Sequence, residues 1–161
     1  MARPTKYATQ ICLALTVVTA IGLGLSLLTR NPLWAVVLLI PTTIYEVYRT
    51  EGESTIWASW AMLVLLVATF VFVVFGIDFD LAAFLGEGER TVAGYTVALG
   101  DIKVVAPSLM GVAAVILLTR TRGKYTRWLG AVIFVAALGI VYTIKPDAIA
   151  ELVRIAADGL L

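Results

Sequence analysis

STIWASWAMLVLLVATFVFVVFGI, residues 54–77, contains no charged side chain. A helix rises about 1.5 Å per residue, so roughly 20 apolar residues cover the ~30 Å of a bilayer's hydrocarbon. This run meets that length, and Tyr7 to Thr29 is a second run without a charge. Three shorter runs follow the same logic, Asn31 to Tyr45, Val104 to Thr119 and Trp128 to Ile144. Each is extended by a long basic side chain that can snorkel to the headgroups: Arg49, Lys103 and Lys145.

The expectation is an all-α, polytopic membrane helix bundle of about five transmembrane helices in a single integral membrane domain. The spans are placed at about 8–29, 32–49, 55–77, 103–120 and 127–145. An outer loop covers 78–102, and its part 79–100 reads as either a short hairpin or a helix lying in the interface. The tail, 147–161, carries Asp147, Glu151, Arg154 and Asp158 on one polar stripe and reads as an amphipathic surface helix. It lacks the basic face of a helix that seeks anionic lipid, so docking on protein is the favoured reading.

Composition agrees. Of 161 residues, 61% are hydrophobic and 14% charged, against roughly 45–50% and about 25% in soluble domains. A net charge of +1 provides no field to attract nucleic acid. There is no histidine and one cysteine, Cys12. That inventory removes His-ligated haem, an imidazole base and the common zinc sets, and a lone thiol inside a span makes a poor nucleophile. No catalytic, cofactor or metal residue is assigned, and no enzyme activity is expected. The first run follows Arg3 and Lys6 but is too long for a cleaved leader's apolar core, so it reads as a retained helix.

Basic residues set the orientation. With five spans, Arg3, Lys6, Arg49, Arg120, Arg122, Lys124 and Arg127 share one side, against Arg30, Arg90, Lys103, Lys145 and Arg154. The N-terminus is therefore expected inside and the C-terminus outside. Trp34, Trp57, Trp60 and Trp128 stand near span ends, where the headgroup region favours amphipathic rings.

Two turns on the inner side resemble each other. RTEGESTIW (49–57) and RTRGKYTRW (120–128) share Arg, Thr, Gly, Thr and Trp at an offset of 71. Either the chain contains a parallel repeat of helix hairpins, or tight turns at a membrane surface converge on these residues. Glu51 and Glu53 stand where the second turn has Arg122 and Lys124, so the loops carry opposite charge and could attract. The first span adds two small-xxx-small pairs, Ala20/Gly24 and Gly22/Ser26, which pack either within the bundle or against another chain. Gly22, Gly24, Glu51, Glu53, Arg122 and Lys124 are thus the candidate partner contacts.

Glu46 is the one acid near a span's interior. An intramembrane carboxyl is a functional hypothesis by default. Two readings stand side by side: a Glu neutralised by Arg49 three residues on, or a proton or cation site near the inner mouth. For the second, Pro41 would kink the helix above it, and Thr42 and Thr43 would add polar groups.

Two function classes follow, beside a membrane enzyme that the residue inventory disfavours. One is a non-enzymatic structural or accessory subunit packing against other membrane subunits or against itself. The other is a small oligomeric ion or solute channel or transporter, a class in which repeats are common. Beyond the lipid bilayer, no partner is named by the residues.

Overall fold

A computed structural model describes residues 6–50, 53–77, 91–92, 95–96, 102–147 and 149. The chain is all-α. Among the described residues, five helices run α1 (Ala8–Thr29), α2 (Leu33–Arg49), α3 (Glu53–Phe75), α4 (Ile102–Arg120) and α5 (Lys124–Ile144). Four of them, α1, α3, α4 and α5, are long and apolar enough to cross a membrane. At 17 residues α2 is the short one, with a rise of about 26 Å.

Turn chemistry places the ends. Arg30 takes a left-handed backbone (φ 51°) and its N–H returns to the Ser26 carbonyl, closing α1. Asn31 then accepts the Leu33 N–H at 3.0 Å, and Pro32 stands at the mouth of α2. Gly76, at φ +62°, stops α3 two residues before the sequence boundary at 77. The starts of α3 and α5 lie earlier than the apolar runs alone indicate, at Glu53 and Lys124. Polar side chains are tolerated in a first turn that sits at the headgroups, and extended Gly123, not the first apolar residue, sets where α5 begins. In the outer loop, β1 (Thr91–Val92) pairs antiparallel with β2 (Tyr95–Thr96), the hairpin alternative for 79–100. The rest of that loop, Glu51, and the tail apart from Asp147 and Ile149 lie outside the described residues.

The helices form a ring in which α2 neighbours α3, α3 neighbours α4, α4 neighbours α5 and α5 returns to α2, while α1 lies on α2 and α5. Its centre is apolar and closed: Leu39, Met62, Leu66, Met110, Leu117, Ile133 and Ile140 are fully buried. The outer surface is equally apolar, with Leu28, Trp57, Val64 and Val112 exposed, as a lipid solvent requires.

The offset of 71 now extends far beyond the turns. Arg49 closes α2 and Arg120 closes α4, and Glu53 opens α3 as Lys124 opens α5. Buried positions coincide too: Ala35 with Ala106, Leu39 with Met110, Thr43 with Ala114, Met62 with Ile133, Leu66 with Ala137 and Thr69 with Ile140. Exchanging the α2–α3 hairpin for the α4–α5 hairpin leaves the ring's neighbour relations unchanged. Turn chemistry alone does not produce matched burial four turns into each helix, so the hairpins are structural repeats.

Candidate functional site

α2 presents a buried stripe at helical spacing, running from Ala35, Val36 and Leu39 to Thr42, Thr43 and Glu46. Its first half is apolar and its second half polar. Glu46 is completely buried, on the face turned to α3. Its Oε1 accepts a hydrogen bond from the Ser59 hydroxyl of α3 at 2.9 Å and a short one from Thr50 Oγ1. Its Oε2 is buried and has no hydrogen-bond partner among the described residues.

Both hydroxyls have a second acceptor within reach. Thr50 Oγ1 lies 3.0 Å from the Glu46 carbonyl, and Ser59 Oγ lies 3.1 Å from the Thr55 carbonyl. Each hydroxyl carries one hydrogen. Rotation about one bond therefore moves that hydrogen between the carboxyl and a backbone oxygen, and leaves the hydroxyl free to accept from the carboxyl instead.

The expected pairing of Glu46 with Arg49 is not made. The Arg49 guanidinium lies 4.7 Å from the ring centroid of Tyr125 on α5, with Nη1 3.5 Å from the Tyr45 hydroxyl. Three residues along one helix put two groups on neighbouring faces, but the aromatic face of another helix competes for the guanidinium. Glu46 is left without a basic partner among its bonded groups.

Pro41, Thr42 and Thr43 are not part of the carboxyl's shell. Helix α2 runs unbroken through Pro41, which is exposed. Thr42 shares a 2.8 Å hydrogen bond with Thr19 and reaches the Leu15 carbonyl at 3.4 Å, both on α1, while Thr43 donates to the Leu39 carbonyl of its own helix. Thr42 thus locks α1 to α2, one turn above the carboxyl. Sequence reasoning missed Ser59. The signal was present: a polar residue in an apolar span, at the offset where the second hairpin has Gly130.

The candidate contact residues divide. Gly22 packs within the chain, since a Cβ there would stand 2.7 Å from Leu38 Cβ and 3.1 Å from the Trp34 carbonyl. Its partner Ser26 is buried and donates to Thr143 of α5 at 3.3 Å. A Cβ added at Gly24 would meet nothing within 4 Å, and Ala20 is exposed. Arg122 and Lys124 are exposed at the α4–α5 turn. The side chains of Glu51 and Glu53 lie outside the described residues.

Metal ligation has little to draw on here. No group of three or more His, Cys, Asp or Glu occurs among the described residues. What the Glu46 shell offers is one carboxyl and two reorientable hydroxyls, buried where α2 meets α3. No protein-family model, curated protein or solved structure matches the chain.

Proposed function

We propose that this chain is a non-enzymatic, proton-coupled membrane protein, a small channel or transporter in which Glu46 takes up and releases the proton. The observation that carries this reading is that Glu46 is fully buried and its Oε2 meets no hydrogen-bond partner among the described residues. The repeat strengthens it, because the matching position of the second hairpin is Leu117, also fully buried. The packing therefore asks only for an apolar residue there, and a buried carboxyl with one oxygen unsatisfied among the described residues carries a cost that the fold does not need. A hard metal cation wants six or more oxygen ligands, whereas a proton needs one oxygen and the hydroxyl rotations described above.

In this reading α2 is a fifth crossing. It faces α1 from Leu38 opposite Gly22 to Arg49, whose ring partner Tyr125 also bonds Thr9 near the start of α1. It thus covers most of α1's length. Five crossings put the N-terminus inside and the C-terminus outside, in keeping with the basic turn at 120–127. Labelling of single cysteines placed at each terminus checks this: both ends reacting on one side of the membrane rules it out.

Proteoliposomes loaded with a pH-sensitive dye test the function. An imposed proton gradient should dissipate faster with the protein than without it, and Glu46→Gln should remove the difference. Equal rates for both proteins would refute the assignment, and a requirement for sodium or potassium would replace the proton with that cation.

A second reading has its own observation. Exposed Ala20 and open Gly24 leave a small-residue strip on the outer side of α1, where another membrane helix can approach closely. That is the surface an accessory subunit would use. Native mass spectrometry of the extracted protein distinguishes the two: a fixed-ratio partner together with no intrinsic flux favours the subunit.

A further inference from the structure

At the end of the bundle where α5 begins, three helices bring polar and basic groups to one ring. Tyr125 shares a 2.9 Å hydrogen bond with Thr9 of α1, which fixes the ring. The Arg49 guanidinium of α2 stands 4.7 Å from its centroid and the Lys124 ammonium 5.0 Å from it. The two cations therefore lie within about 10 Å of each other. Lys6 is one turn before Thr9, and exposed Arg122 and Arg127 flank Lys124. An anion that settles near both cations is attracted by each of them. Trp128 follows on the same helix, 41% exposed, with its indole N–H donating to Thr16 at 3.0 Å. Such a ring marks the headgroup level, so the cations sit where a phospholipid's phosphate sits.

We infer that Arg49, Lys124 and the Tyr125 ring that both approach form a binding site for the headgroup of an anionic phospholipid. The phosphodiester lies against the two cations, and the acyl chains run down the apolar surface beside Trp128. Basic pockets between transmembrane helices recognise anionic headgroups through this charge complementarity. The site is independent of proton transfer at Glu46. Its competitors are the chain's own acids, Glu51 and Glu53, and free phosphate.

Trp128 is the reporter. In a background carrying Trp34→Phe, Trp57→Phe and Trp60→Phe, the protein is placed in phosphatidylcholine vesicles containing either brominated phosphatidylglycerol or brominated phosphatidylcholine. Quenching should favour phosphatidylglycerol. That preference should fall about fivefold in Lys124→Gln and again in Arg49→Gln, and persist in Lys124→Arg, which keeps charge and fold. Equal quenching by the two lipids would overturn the site, as would a preference indifferent to both charge removals. Preference appearing only after Glu51→Gln and Glu53→Gln would also overturn it, because the cations would then belong to the chain's own acids. Loss of preference on adding inorganic phosphate would reassign the site to the free anion.

Discussion

The two hairpins share a frame and differ in what fills it. In the α4–α5 hairpin the shared buried positions hold Ala113, Ala114, Leu117 and Gly130. Small residues there let the helices approach, with Leu117 and Leu118 against Gly130. In the α2–α3 hairpin the same positions hold Thr42, Thr43, Glu46 and Ser59. An apolar filling is thus sufficient for this geometry. The polar one adds a carboxyl whose second oxygen meets no partner among the described residues. In a membrane protein such a departure from what packing requires is where function is to be sought.

The largest effect is expected from carrying the carboxyl across to the second hairpin. Leu117→Glu would bury an acid without the Ser59 hydroxyl, and unfolding in detergent should show a loss of about 3–5 kcal/mol. Adding Gly130→Ser should restore part of it. A loss below about 1 kcal/mol would mean that the second seam is not as dry as the burial of Leu117 implies.

Next comes the helix that both hairpins support. Gly22→Ala drives a methyl into Leu38 and the Trp34 carbonyl and should cost about 1–3 kcal/mol in the same assay, whereas Gly24→Ala should cost nothing measurable. Ser59→Ala removes one of the two hydroxyls on Oε1, with an expected loss of about 1–2 kcal/mol and slowed proton flux.

The smallest change in stability is expected from Glu46→Gln. Its amide oxygen keeps both hydroxyl bonds, so the melting midpoint should stay within about 1 kcal/mol of the parent while flux disappears. Glu46→Leu, the filling used by the other hairpin, should likewise fold. If either variant fails to assemble, Glu46 is a structural pin and the contrast between the hairpins loses its functional meaning.

Much of this architecture is legible in the residues, because a bilayer demands long apolar runs and the chain supplies them. The five helices fall within a few residues of their expected ends, and the offset between the two turns reappears as the register of two hairpins. Their starts are harder to read. Lys124 and Tyr125 look like loop, yet a first turn at the headgroups accepts them. The surroundings of Glu46 were only half legible. A carboxyl near a span interior stands out in any sequence, but local spacing offers only Arg49 as a partner for it. Only the fold brings Tyr125 to that guanidinium, 76 residues further on, and brings Ser59 to the carboxyl. Pro41 attracts notice as a helix breaker and turns out to stand on the exposed side.

Whether Glu46 exchanges a proton inside the bundle can be read directly by infrared difference spectroscopy of the protein in lipid, comparing the parent with Glu46→Gln across pH. A proton-exchanging Glu46 gives a carbonyl stretch from a protonated carboxyl that is lost as pH rises and is missing from the Gln variant. A pair of identical spectra, or a band from Glu46 that never titrates, would contradict it.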